Sequence, residues 1–462
     1  MADSIEDTLN ADAPAQADVD LTIIAALVAT IDDGDGASIE RIMTPLHPAD
    51  ISDLLEQLSG DQLRELIDLA PDVLTGEVLS ELEADTREVI TDELQPAQLA
   101  AAIQDLETDD AIEVVEELDD DIREQVLAEV STEDRAALES SLAFDEETAG
   151  RLMQREFVAA PEFWTVGHTI DHMRAAGDDL PDLFFEVYVV DTGFRPIGEV
   201  PVSRLMRSGR DIKLSDIMLP PKVKVDPETD QEEVAYFFEK YHLISAPVVD
   251  EAGRLTGMLT VDDMVDVIQE ENKEDMLALA GVNDAGLADT VMQSVRSRAP
   301  WLLVNLATAI LASGVIALFE DAISQLVALA VLMPIVASMG GNAGTQSLAV
   351  AVRAIASRDL TAANARRVIW RETMTGTFNG LIFAAVMGIV AGVWFQSLAL
   401  AGIIAIAMII NLACAGLAGI LVPLGLKRFG ADPAVASAVF VTTVTDIVGF
   451  FAFLGLAALV LL

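Results

Sequence analysis

The sequence predicts a multi-domain chain in three parts: an all-α N-terminal solenoid, an α+β tandem pair of small domains, and an α-helical membrane domain of five spans. Three observations predict it. Charge is partitioned between the two ends, uncharged runs of membrane length fill the last third, and two internal repeats occupy the rest.

The chain has 462 residues and a formal net charge of −49. Only six of its 76 acids and seven of its 27 bases lie after residue 298. That leaves 70 acids against 20 bases in residues 1–298, a net charge of −50. Such a surface repels nucleic acid and anionic lipid and attracts cations. A salt-adapted solvated surface accounts for the total, but less well for acids clustered at helical spacing. The single cysteine, Cys414, excludes an internal disulfide, and no Cys/His zinc pattern exists. The N-terminus, MADSIEDTLN, is acidic and polar, so no secretory signal is expected there.

A span needs about 20 apolar residues. The uncharged runs give five: about 300–319, 326–350, 373–394, 399–424 and 436–459. Basic residues fall in alternate loops. Arg296 and Arg298 precede the first span, five arginines from Arg353 to Arg371 lie between the second and third, and Lys427 and Arg428 follow the fourth. Positive charge stays on the cytosolic side. The expected protein is multi-pass in the cytoplasmic membrane, with the N-terminal half cytosolic and the C-terminus outside.

Two features inside these spans carry chemistry. Asp446 lies about ten residues into the fifth span, where a carboxylate costs several kcal/mol unless it faces water, a cation or a partner. A protonated Asp446 bonded to Thr442 is the bland reading, and a cation path is the better one. In the second span, Pro334 is followed by Gly340-Gly341-Asn342-Ala343-Gly344-Thr345-Gln346. Gly and Asn at this density weaken a helix. Freed carbonyls and the Asn342 and Gln346 amides are then expected as hard oxygen donors, with close packing through small residues the alternative for the glycines.

In residues 46–142, Leu58, Leu82, Leu94, Leu106, Leu118 and Leu142 recur on a 12-residue grid, with Ala70 and Val130 in the other slots. Twelve residues make a short helix and a turn, so paired units predict stacked hairpins, an α-solenoid. Asp109 and Glu113 share one helix face by their spacing. In residues 151–271, Val189–Val200 aligns without a gap with Val248–Leu259, each reading as strand, turn, strand, then helix. After the second copy, Asp262, Asp266 and Glu270 form one helical stripe with Asp263 and Glu274 near it, a dense set of oxygen ligands. Residues 275–296 read as an amphipathic helix leading to the first span. The expected boundaries are 1–40 for a tail and first helix, 41–145 for the solenoid, 146–210 and 211–271 for the two copies, 272–298 for the connecting helix and 299–462 for the membrane domain.

Taken together these features resemble the MgtE family of bacterial magnesium channels and transporters, from about residue 46 to the end. The motifs that carry the resemblance are Pro334…Gly340-Gly341-Asn342-Ala343-Gly344-Thr345-Gln346 and Asp432-Pro433-Ala434-Val435-Ala436-Ser437…Thr443-Val444-Thr445-Asp446. The α+β pair resembles tandem cystathionine-β-synthase (CBS) domains, and residues 275–296 resemble the family's plug helix. The resemblance implies a homodimer with one pore to which Asp446, Thr442 and position 438, here Ala438, contribute, with Asp432 at the cytosolic mouth. It implies regulatory magnesium on Asp230 and Glu232, on Asp263 and Asp266, on Glu271, Glu274 and Asp275, and on Asp109 and Glu113. His242 stands where the family has an acid, and Val439 where it has proline. It also implies ATP at the CBS pair through Gly257, Thr260 and Asp263, with Ser203-Arg204 in the first copy allowing at most one nucleotide per chain.

The expected function is magnesium transport by a channel whose acidic cytosolic parts repel one another and close together when magnesium neutralises them. The alternative is a cation-coupled transporter or exporter of magnesium, manganese or cobalt. An enzyme is disfavoured: a membrane metalloprotease needs membrane histidines, whereas His47, His168, His172 and His242 all precede the spans. A membrane-anchored nucleotide sensor without transport is a further class.

Overall fold

The structure is a computed structural model that describes residues 21–461 apart from 178, 179, 182, 283–290, 362 and 436. The chain divides into two compact units, Met1–Ile268 and Gln269–Leu462.

In the first unit, ten short α-helices run from Leu21–Asp32 to Thr132–Ser141 among the described residues. The 12-residue grid marks where helices stop. Ala70, Leu94, Val130 and Leu142 are C-caps, and Leu58, Leu82, Leu106 and Leu118 lie just past helix ends. Six of the eight are buried in one continuous core, with Leu106 and Leu142 packed against it. The next helix is restarted by a polar cap, as Ser59, Thr75 and Ser131 accept from the backbone N–H of Gln62, Val78 and Asp134. Burial of the grid residues and capping of each restart together give the stacked-hairpin solenoid its period.

The tandem pair follows. Strand β1 (Ala159–Pro161) pairs parallel with β2 (Glu186–Val190), which pairs antiparallel with β3 (Pro196–Pro201). In the second copy β4 (Ser245–Val249) pairs antiparallel with β5 (Leu255–Thr260), and a single parallel bridge from Val225 to Val248 stands in for the β1–β2 ladder. The irregularity between Val189 and Val190 recurs between Val248 and Val249. The ungapped repeat is thus a repeat of strand register.

The second unit contains five helices long and apolar enough to cross a membrane: Ser294–Ala317, Ala328–Ala356, Ala365–Phe395, Leu398–Arg428 and Ala438–Leu461. Two expectations are corrected. Residues 275–296 are not one amphipathic helix: Val261–Ala280 is a single helix, Gly281 takes a φ of +71°, and the next helix begins at Val291. Glycine adopts that left-handed backbone without a Cβ penalty, so the helix stops there. Residues 283–290 of the expected plug lie outside the described residues.

The second correction concerns the second span. Helix Ala328–Ala356 is continuous through Gly340–Gln346, so no carbonyls are freed there. Its glycines serve close packing instead. A Cβ on Gly344 would lie 2.6 Å from Val441 Cγ1, and one on Gly340 would lie 2.2 Å from Asn411 Nδ2. Small residues let membrane helices approach where larger ones would hold them apart.

Candidate cation sites

The first unit brings the solenoid acids to the CBS helix. Asp109 and Glu113 come from helix Thr108–Glu116, and Asp263 and Asp266 come from the start of helix Val261–Ala280. Burial pushes the Asp109 carboxyl well up, with repulsion from Asp263, Asp110 and Glu107 adding to it. Asp110 is pushed up to about 7 by burial, then by Asp263 and Glu113. Burial pushes Asp263 up to about 6, against the bond from Thr260, with Asp262 and Asp266 raising it further. Burial, Glu113 and Asp262 raise Asp266. These carboxylates lack enough neighbouring positive charge, the condition a cation would relieve.

The main local counter-charge is Arg87, whose Nη2 donates to Glu113 Oε1 at 2.6 Å and to the carbonyls of Leu82 and Ser80. No group of three or more Asp, Glu, His or Cys side chains among the described residues is set to hold a metal as it stands. A magnesium ion that keeps most of its water needs only one or two carboxylates, so the donor set still fits a hydrated ion.

Sequence reasoning missed Glu107 and Asp110. Burial and Glu156 push Glu107 up to about 7. Both flank Asp109, and the run Glu107-Thr108-Asp109-Asp110 was the signal. Hydrogen bonds tie this run to the start of the tandem pair: Gln154 Nε2 donates to Glu107 Oε2 at 2.9 Å, and Thr108 Oγ1 to Glu156 Oε1 at 2.7 Å.

Asp230 and Glu232 are exposed and apart from this cluster in role. Asp230 is the N-cap of helix Gln231–Tyr241 and accepts from Glu232 N at 2.9 Å. His242 is that helix's left-handed C-cap, at φ 50°. Asp263 has a capping task as well, since its Oδ2 accepts from both the N–H and the hydroxyl of Thr260.

In the second unit, Asp275 and Asp432 come near each other. Burial raises the Asp275 carboxyl, with Asp432 and then Glu274 adding to the rise. Ala278 and Leu279, one turn on, pack against Leu348, Val352, Ala434 and Val441. Asp432 itself is exposed and accepts from Ala434 N at 2.7 Å. Glu271 and Glu274 lie on the same helix as Asp275.

Ala438, Thr442 and Asp446 recur every fourth residue on helix Ser437–Leu461 and so share a face. The Thr442 hydroxyl donates to the Ala438 carbonyl at 2.9 Å and the Val439 carbonyl at 3.0 Å. It is therefore committed to its own helix, and the Thr442–Asp446 bond is not formed. Asp446 is half-buried and makes no hydrogen bond or ion pair among the described residues. Asn342 and Gln346 are exposed on helix Ala328–Ala356. Gly341, next to Asn342, lies against Thr442: a Cβ there would be 3.7 Å from Thr442 Cγ2.

Of the expected nucleotide residues, Thr260 lines a shallow cleft with Glu107, Gln154, Glu186, Ser245 and Asp262. Gly257 instead makes room for the chain beside it: a Cβ there would lie 2.8 Å from the Gln154 carbonyl oxygen. Arg204, at the matching place in the first copy, donates to the Ile217 carbonyl at 2.9 Å.

Comparison with known proteins agrees with this architecture. Three family models match: "MgtE intracellular N domain" over residues 46–147, "CBS domain" over 214–270 and "Divalent cation transporter" over 333–456. The magnesium transporter MgtE of Enterococcus faecalis is 33% identical over 322 residues, 70% of this chain and 71% of that protein. A solved cytosolic domain of the Mg2+ channel MgtE in complex with ATP is 30% identical, covering 53% of this chain and 99% of that one at a TM-score of 0.49. The magnesium transporter MgtE of Thermus thermophilus is 30% identical over 445 residues, 95% of this chain and 98% of that protein. Matched along almost its whole length, with five apolar helices behind an acidic solenoid and a CBS pair, the chain belongs to the MgtE family of magnesium transporters.

Proposed function

We propose that this magnesium transporter is a homodimeric channel, closed when its cytosolic carboxylates are neutralised by magnesium and open when they are not. The observation that carries the reading is the convergence of Asp109 and Asp110 from the solenoid with Asp263 from the CBS pair: burial raises all three, and Asp263 raises both Asp109 and Asp110 further. Uncompensated, these groups push apart. With a hydrated divalent cation between them the repulsion becomes attraction, and the compact arrangement is favoured.

Asp275 and Asp432 supply a second such locus, and Glu271 and Glu274 extend it. Asp230 and Glu232 are the weakest members of the ligand set, because capping already explains Asp230. The conduction path uses Asp446, with Thr442 and Ala438 on the same face and Asn342 and Gln346 on the neighbouring helix. In a homodimer one Asp446 from each protomer faces the ion. Facing a water-filled path offsets the cost of a carboxylate at that depth. Alternating basic loops support a cytosolic N-terminal half and an outside C-terminus.

Limited proteolysis of the purified full-length protein across a magnesium series tests the gating reading. Magnesium should protect the segment from Leu142 to Gln154, and Asp109→Asn/Asp263→Asn should abolish the protection. Cleavage indifferent to magnesium would reject gating. Flux into liposomes driven only by membrane potential separates the channel from a coupled exporter, which needs an opposing gradient.

A further inference from the structure

Two imidazoles stand together in the first copy of the CBS pair, outside every site described above. His168 and His172 lie four residues apart on helix Val166–Ala176, so they share one face of it. Both residues are exposed. Each ring meets the same indole. The Trp164 ring centroid lies 4.4 Å from that of His168 and 5.0 Å from that of His172, with the ring planes crossing at 86° and 71°. Trp164 is itself packed, partly buried, against the core of this copy. The Thr165 hydroxyl fixes the helix start by accepting from the His168 N–H. An anchored indole against both rings limits how far either can swing, so the pair is ordered before anything binds.

Among the described residues, neither imidazole makes a hydrogen bond or an ion pair, and the indole is the ring partner of both. The other two histidines of the chain hold structural posts. His47 Nδ1 accepts from the Ala49 N–H as an N-cap, and His242 is a left-handed C-cap. Asp171, next to His172 in sequence, is already held by Arg210, whose Nη2 donates to its Oδ2 at 2.6 Å. What faces water is therefore a set of two nitrogen donors without a free carboxylate beside them on the helix. Magnesium matches such a set poorly, since it takes carboxylate, carbonyl and water oxygens. Imidazole suits zinc, copper and nickel, and two histidines at this spacing on one helix face are a recurrent zinc-binding arrangement. The strongly acidic first 298 residues draw dications towards the pair.

We propose that His168 and His172 chelate a first-row transition-metal dication of the nickel, copper or zinc type, with water in the remaining positions. The chain then holds two chemically distinct kinds of cation site. Its carboxylates suit a hydrated magnesium ion, and this imidazole pair passes magnesium over and takes the dications that compete with it. The site does not depend on the gating reading, because neither histidine belongs to the acidic cluster. The competing account is structural: two imidazoles that only pack against Trp164. It predicts no metal dependence at all.

Nickel titration of the full-length protein in detergent, without a polyhistidine tag and in excess magnesium chloride, tests this. Magnesium occupies the carboxylates, and paramagnetic nickel quenches the fluorescence of an indole it approaches. One saturable quenching step is expected, from Trp164 and not from Trp301, Trp370 or Trp394. Trp164→Phe should remove the quenching while equilibrium dialysis still finds one nickel per chain. His168→Gln and His172→Gln should each weaken nickel by about tenfold or more, since losing even a partner one step removed from a metal typically costs that much. His47→Asn keeps an acceptor at its cap and should leave nickel affinity unchanged. Thermal melts give a second readout: nickel should raise the melting temperature of the parent and of His47→Asn, but not that of His168→Gln/His172→Gln. If one histidine variant fails to fold, the other decides. No saturable nickel binding, unchanged affinity in a folded His168→Gln or His172→Gln, or an equal loss in His47→Asn would each overturn the proposal.

Discussion

The Asn411 side chain fills the space that a Cβ on Gly340 would need: its Nδ2 would lie 2.2 Å from that atom. On the other side a Cβ on Gly449 would lie 2.7 Å from the same nitrogen. Asn411 is fully buried, and Nδ2 donates to the Val336 carbonyl at 2.8 Å. One amide is therefore clamped between helices Ala328–Ala356 and Ser437–Leu461. Gly340→Ala should cost roughly 1–3 kcal/mol, the usual penalty of overpacking a close contact. SDS-titration unfolding in mixed micelles reads it, with Gly402→Ala, where a Cβ meets nothing within 4 Å, as the neutral comparison.

Asp446→Ala and Asp446→Asn should both reduce magnesium flux into liposomes by about tenfold or more, while the purified protein keeps its elution profile. The neutral, nearly isosteric Asn separates charge from shape, since the cost of a membrane carboxylate is retained only for what its charge does. Normal flux in Asp446→Asn would remove this residue from the conduction path.

Arg87 is 97% buried at its side chain and holds Glu113, Glu117 and two backbone carbonyls. Arg87→Ala leaves the Leu82 and Ser80 carbonyls without their donor and removes a buried side chain, while Glu113 and Glu117 stay partly solvated. It should destabilise the cytosolic unit by about 2 kcal/mol. Thermal melts of full-length protein in EDTA check the size of the loss. Magnesium should recover more stability in this variant than in the parent, because Glu113 is then free for a cation.

Asp230 separates a structural from a metal-binding role. Asp230→Ala should cost about 1 kcal/mol, the worth of an N-cap, with and without magnesium. Asp230→Ser keeps an acceptor at the cap and should restore that stability. Loss of magnesium protection in Asp230→Ser, with the stability intact, would give Asp230 a ligand role as well.

Glu199 supplies a pH dependence free of the metal question. The residue is 7% exposed on β3, and burial, with Glu186 adding to it, pushes its carboxyl up from the ordinary 4.5 to about 7. The folded state therefore holds this proton more tightly than the unfolded one. Its contribution is full below about pH 4.5 and is lost as pH rises through about 7. Thermal melts in EDTA should show stability falling over that window, and Glu199→Gln should flatten that part of the profile.

Much of this molecule was legible before any coordinates. The grid from Leu58 to Leu142 gave the solenoid because burial repeats with each helix-and-turn unit. The ungapped match of Val189–Val200 to Val248–Leu259 gave strand register because both depend on local alternation. What pattern could not supply was long-range packing. Gly340 and Gly344 look like helix breakers in sequence, yet they are contact points, since their role is set by Asn411 and Val441, about 71 and 97 residues away. The stop at Gly281 was hidden inside an amphipathic pattern that continues past it. Asp230 and Asp263 read alike as metal ligands, and only hydrogen-bond geometry showed that both also cap helices.

The third and fourth membrane helices, Ala365–Phe395 and Leu398–Arg428, are joined by only Gln396 and Ser397. Gln396 turns the chain in the left-handed region, and Ser397 caps the helix that follows. A Cβ on Gly376 would lie 2.3 Å from the Leu412 carbonyl oxygen, and one on Gly416 would lie 2.5 Å from that of Glu372, so the two helices touch backbone to backbone. The pair can therefore enter the bilayer as a closed hairpin, carrying almost no polar chain through the hydrocarbon. That hairpin is a preassembled wall, onto which Asn411 locks the helices bearing Asn342 and Asp446.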